Sequence, residues 1–212
     1  MVIYMNQINY PNHIKKDLPG VSKTKSYNRK KANLGSDFEK KLNDTNLYYL
    51  QKGIAAIYKK PTPIQVVKVD YPSRNKARIS EAYYKTPSTT DYNGIYRGYY
   101  IDFEAKCCHG TSFAFSHIFD HQIEHLANVS KLGGIAFLII EFPNKNEVFI
   151  LPIDILLKKF ELSKNGGRKS ISYQEFKDEG YLVKEEFSPS IPYLKYIDIM
   201  IDNLESKKIK QY

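Results

Sequence analysis

The 212-residue sequence contains no tryptophan and only two cysteines, adjacent at Cys107 and Cys108. Vicinal cysteines rarely bridge, so no disulfide framework supports the fold and a reducing compartment fits. No apolar run approaches the length of a membrane span, and the opening MVIYMNQINY lacks the charged start and apolar middle of a signal peptide. A cytoplasmic protein without a membrane partner is therefore expected. Acids are also scarce, 23 against 32 Lys and Arg, for a net charge of +9. Such an excess favours contact with a polyanion, and nucleic acid suits it better than an acidic lipid surface.

With 42% hydrophobic residues, the chain can form one sizeable core with flexible ends. Residues 1–33 carry seven cations (Lys15, Lys16, Lys23, Lys25, Arg29, Lys30, Lys31) against Asp17, without apolar periodicity. This segment reads as a flexible basic arm, either solvated or contacting DNA through Arg29, Lys30 and Lys31. Residues 34–204 form the expected domain and 205–212 a tail. A helix is expected from Ser36, where Ser36 and Glu39 have capping-box spacing, to about Gly53. Strands follow at 54–58, 64–70 and 77–84, the last two able to pair as a projecting hairpin. Residues 91–106 read as two strands turning around Arg97-Gly98. A helix over 116–131 presents Phe119, Ile123 and Leu126, and the apolar run 135–141 reads as a buried central strand paired with 147–151. Short helices are expected at 153–160, 172–179 and 196–204. The order predicts an α/β fold, a mixed sheet flanked by helices.

Chemistry concentrates in Tyr99-Tyr-Ile-Asp-Phe-Glu-Ala-Lys106. On a strand, Asp102, Glu104 and Lys106 share one face while Ile101, Phe103 and Ala105 face the core. A solvated strand face would look the same. Asp91, ahead of a Tyr-Asn-Gly turn, lies where a hairpin would return it to that strand. Two carboxylates suit magnesium, which takes oxygen ligands, and a nearby ammonium suits the charge that builds in phosphodiester hydrolysis.

Asp followed at a distance by Asp/Glu-x-Lys is the degenerate PD-(D/E)xK nuclease signature. Its flanks are more specific. Asn43-Asp-Thr-Asn46 with Tyr48-Tyr-Leu50, Lys59-Lys-Pro-Thr-Pro63, Thr89-Thr-Asp-Tyr-Asn-Gly-Ile-Tyr96, Tyr100 to Lys106, Asp120-His-Gln-Ile-Glu-His125 and Asn165-Gly-Gly-Arg-Lys-Ser-Ile171 resemble the RecU family of Holliday junction resolvases over roughly residues 36–200. The resemblance implies a restriction-endonuclease-like mixed sheet with a projecting stalk at 64–84. It implies magnesium, with manganese as a substitute, held by Thr89, Asp91, Glu104 and Gln122. Lys106 would stabilise the transition state, with Glu39 and Asp102 beside the site. It also implies a homodimer that nicks four-way DNA symmetrically in recombination and repair, with recombinase and branch-migration proteins as partners. Lys68, Arg74, Lys76 and Arg78 on the stalk, and Arg168 and Lys169 in a glycine-rich loop, are candidate DNA contacts. After Lys106, Cys107-Cys-His-Gly-Thr-Ser-Phe departs from the family pattern.

Four other readings compete with this one. His117, His121 and His125, spaced by four, with Cys107, Cys108 and His109 upstream, match no standard zinc spacing. Gly166-Gly-Arg-Lys-Ser170 lacks Walker A spacing. A non-cleaving recombination mediator, or a nuclease of linear duplex, would share much of the sequence; intact Asp91, Glu104 and Lys106 oppose the first, and only the flanks separate the second.

Overall fold

A computed structural model describes residues 26–73, 76–85 and 89–209. Its centre is a six-stranded sheet in the order β1-β4-β5-β7-β8-β10. These strands are β1 (Ala55–Lys59), β4 (Tyr92–Tyr96), β5 (Tyr99–Cys107), β7 (Ile135–Phe142), β8 (Glu147–Pro152) and β10 (Tyr181–Val183). β5 and β7 are parallel and the other pairs antiparallel, so the sheet is mixed as expected. A parallel neighbour requires a long crossover, supplied here by α2 (Asp120–Lys131).

Every residue of β7 is buried, because the strand is covered on both faces. Ile135, Phe137 and Ile139 enter one core with Ile101 and Phe103 of β5, and with Phe38 and Leu42 of α1 (Ser26–Gln51) and Ile197 and Ile201 of α5 (Leu194–Ile209). Ala136, Leu138 and Ile140 enter the other, packed by α2, α3 (Ile153–Lys164) and α4 (Tyr173–Glu179). Phe103 stacks between Tyr92 and Phe137, at centroid distances of 4.9 and 4.8 Å. This fixes the apolar face of β5 and leaves Asp102, Glu104 and Lys106 on the face toward α2.

The stalk is β2 (Ile64–Asp70) paired with β3 (Arg78–Tyr84), a separate two-stranded sheet that is exposed almost throughout. A short pair, β6 (Ser112–Ala114) with β9 (Ser170–Ser172), was not anticipated.

Several boundaries differ from expectation. α1 begins at Ser26, so Ser36 lies inside the helix and its capping-box role with Glu39 is lost. Residues 26–33 of the expected arm are therefore helical; residues 1–25 lie outside the described residues. The second helix starts at Asp120, after a 3-10 turn at Phe115–His117, because Ile118 and Phe119 are extended. Phe119 is consequently exposed instead of facing the core. Likewise α5 continues through Glu205 to Ile209, into the expected tail, and α3 reaches Lys164.

Asn93 and Gly94 form no turn but lie within β4. The hairpin turns at Arg97-Gly98, where φ is 50° and 79°, the left-handed values that a tight two-residue turn uses. Gly94 serves a different purpose: a Cβ there would stand 2.1 Å from the carbonyl oxygen of Ala56 on β1. Among the described residues, no helix is long and apolar enough to cross a membrane.

Candidate active site

Antiparallel pairing of β4 with β5 sets Tyr92 opposite Phe103, which brings Asp91 beside Glu104. The two are locked reciprocally. The Asp91 N–H donates to Glu104 Oε2 at 3.1 Å, and the Ala105 N–H donates to Asp91 Oδ2 at 3.2 Å. Lys106, two residues along the same face, donates from Nζ to Glu104 Oε1 at 2.5 Å. From α2, Gln122 Nε2 donates to the same oxygen at 2.9 Å, while its Oε1 accepts the Phe119 N–H at 3.1 Å. Gln122 thus both caps the helix and reaches the carboxylate.

Glu104 is 1% exposed. Burial and then the Asp91 charge push its carboxyl up to about 7, against the opposing pull of Lys106 and Gln122. Two acids pressed together in a poorly solvated place carry an excess of negative charge, and one ammonium does not relieve it.

Asp102 is fully buried and is the hub of a second hydrogen-bond network. Lys60 Nζ donates to its Oδ2 at 2.8 Å, Tyr100 Oη to the same oxygen at 2.9 Å, and Thr90 Oγ1 to Oδ1. His125 Nε2, one turn beyond Gln122 on α2, lies 3.0 Å from Oδ2. Lys60, Thr90 and His125 were not anticipated in this role. They arrive from a loop, a strand entry and a helix, and no sequence spacing signals their convergence.

Thr89 is half-buried at the wall of a cavity of about 360 Å³ that Asp91, Lys59 and Lys60 also line. Glu39 forms an ion pair with Lys59, which lines the same cavity. Lys68, Lys76 and Arg78 are exposed on the stalk, whereas Arg74 lies outside the described residues. Arg168 and Lys169 are exposed in the loop after α3, and Lys169 lines a cavity of about 590 Å³ with Lys164 and Ser116. Arg29, Lys30 and Lys31 fall in the first turns of α1, where side chains are not described.

The histidines go separate ways. His121 stacks on Phe119, His117 meets Phe113 edge-on, and His125 serves Asp102. Cys107 lies 3.7 Å from His109, but burial and Glu141 push its thiol up to about 12, far from the thiolate that zinc requires. Among the described residues, no group of three or more His, Cys, Asp or Glu is placed to hold a metal. A metal at Asp91 and Glu104 would therefore draw its other ligands from neutral oxygens or water, a donor set that suits magnesium.

The model of the family described as RecU, Recombination protein U, matches residues 33–199. A protein of Pediococcus pentosaceus named Holliday junction resolvase RecU is 47% identical over 200 residues, covering 93% of this chain and all of that one. Proteins of the same name from Streptococcus gordonii and Staphylococcus aureus are 44% and 42% identical, covering 93% and 94% of this chain and 96% and 100% of their own. A looser likeness links the structure to Archaeoglobus fulgidus Hjc, described as a Holliday junction resolvase. It has 14% identity and a TM-score of 0.40, over 67% of this chain and 91% of that one. A match over most of the length, with identities above 40%, makes this chain a member of the RecU family.

Proposed function

We propose that this chain is a Holliday junction resolvase, a metal-dependent endonuclease that nicks four-way DNA symmetrically. The observation that carries this reading is the Asp91–Glu104–Lys106 cluster in a chain whose relatives bear that name. Asp91 and Glu104 would hold magnesium, or manganese in its place, with oxygens from Thr89, Gln122 and water completing the shell. Gln122 would first have to release Oε1 from Phe119, or ligate through its backbone carbonyl. The elevated Glu104 carboxyl supports a cation there, since a dication offsets both the burial and the Asp91 charge that raise it. Magnesium when bound acidifies a water and neutralises charge on the scissile phosphate.

The protein's own groups do the rest. Lys106 presents its ammonium beside Glu104, where charge accumulates on the phosphate oxygens. The Ala105 and Asp91 N–H groups hold both carboxylates in register, so neither has to reorganise during the reaction. Exposed Lys68, Lys76 and Arg78 on the stalk, and Arg168 and Lys169 beyond α3, would meet DNA phosphate.

Symmetric nicking calls for two sites, and a second copy of this chain is the proposed partner. Exposed Leu47, Leu50, Ile54 and Tyr58, on and after α1 and along the edge strand β1, offer an apolar surface for it. Activity in the cytoplasm, with recombinase and branch-migration partners, fits the same reading. Asp91→Asn or Glu104→Gln should abolish cutting while four-way binding persists. Either variant cutting at the wild-type rate refutes the site.

A further inference from the structure

Lys60 holds a cation at the edge of this site that packing alone does not use up. It follows β1, and its backbone N–H donates to the Asp91 carbonyl at 2.7 Å, so it is fastened directly to the strand entry that carries Asp91. Its ammonium donates to Asp102 Oδ2 at 2.8 Å and to Thr90 Oγ1 at 2.9 Å. An ammonium has three N–H donors, and these bonds engage two of them. The side chain is 17% exposed and lines the 360 Å³ cavity with Lys59, Thr62, Thr89 and Asp91. A donor therefore remains for a ligand oxygen entering that cavity.

Asp102 fits the part of a holder. It is fully buried, and Thr90, Tyr100 and His125 bind it besides Lys60, so its own position is set from the entry to β4, from its own strand and from α2. A lysine fixed by such a carboxylate has already lost the rotamer freedom that a free surface lysine gives up on binding. The cavity's cations and hydroxyls suit an acceptor-only anion, and a phosphodiester is one. Asp91 stands between this cavity and the Glu104–Lys106 pair.

We propose that Lys60 binds a non-bridging oxygen of the phosphate adjoining the one that is cut, and that Asp102 is the positioning residue that holds its ammonium at the cavity wall. The inference rests on the reading of this chain as a junction-cutting nuclease.

The test is binding to four-way DNA in EDTA across a salt series, which needs neither metal nor cleavage. The double variant Lys60→Gln/Asp102→Asn exchanges the buried ion pair for an amide pair and leaves net charge unchanged, so a change in salt dependence reports a lost contact and not a changed global field. Its slope of log K against log salt should be shallower than wild type by about 0.9, the loss of one phosphate contact. Lys60→Arg, which keeps the cation, should restore the slope. Asp102→Asn alone should keep the wild-type slope yet bind several-fold more weakly, although it makes the protein more positive. A wild-type slope in the double variant, with thermal unfolding showing that it folds, overturns the phosphate contact and leaves Lys60 as the counter-ion of Asp102. Affinity of Asp102→Asn equal to or above wild type overturns the positioning role. Failure of the wild-type protein to bind four-way DNA would strike the resolvase reading itself, and this inference with it.

Discussion

Replacing Glu104 with glutamine should change how stability depends on pH. In the folded protein the carboxyl is raised to about 7 from an ordinary 4.5, first by burial and then by Asp91. Below pH 4.5 the group is protonated in both folded and unfolded chains, and the fold suffers no penalty. Between 4.5 and 7 the unfolded chain releases the proton while the folded one retains it, so metal-free protein loses stability as pH rises. The loss is complete above about 7. A shift of this size corresponds to about 3 kcal/mol, at roughly 1.4 kcal/mol per unit. For a chain of this length that is on the order of 10 °C in Tm. Glutamine keeps an acceptor for the Asp91 N–H and cannot ionise, so Glu104→Gln should lack this part of the pH dependence. Urea or thermal unfolding of both proteins in EDTA from pH 5 to 8 measures it. Added magnesium should then restabilise wild type most at pH 8, where Glu104 is ionised, and should leave the variant nearly unchanged. Parallel pH profiles in EDTA, or equal responses to magnesium, would refute the burial and repulsion assigned to Glu104.

Gly94→Ala forces a Cβ against the Ala56 carbonyl and should cost about 1–3 kcal/mol by prying β1 from β4, measured by chemical denaturation. Phe103→Ala empties the stack between Tyr92 and Phe137 and should cost about 3–5 kcal/mol in the same assay. Alanine at Lys68, Arg74, Lys76 and Arg78 should weaken binding to four-way DNA more than to linear duplex; equal losses in a competition assay would make the hairpin a general phosphate surface.

What could be read in the sequence was what a single strand decides. The apolar run Ile135 to Ile140 of β7 announces a strand covered on both faces, and the alternation in β5 separates Ile101, Phe103 and Ala105 from Asp102, Glu104 and Lys106. The Arg97-Gly98 turn was legible for the same local reason. The early start of α1 was not, because residues 26–35 are largely polar and show no periodic apolar face. Asn93-Gly94 has the composition of a turn, yet the close approach of β1 is what requires that glycine. Asp102 was assigned to the charged face correctly, but its role was hidden. Lys60, Thr90 and His125 lie 42, 12 and 23 residues away in sequence, and only the assembled fold gathers them around one carboxylate.

Nicking of a four-way junction, compared with linear duplex of the same sequence, in magnesium and in EDTA, measures substrate choice and metal dependence together. Wild-type protein should cut opposed strands of the junction in magnesium, leave linear duplex largely intact, and cut neither in EDTA. Cutting that persists in EDTA, or linear duplex cut as readily as the junction, would contradict the account.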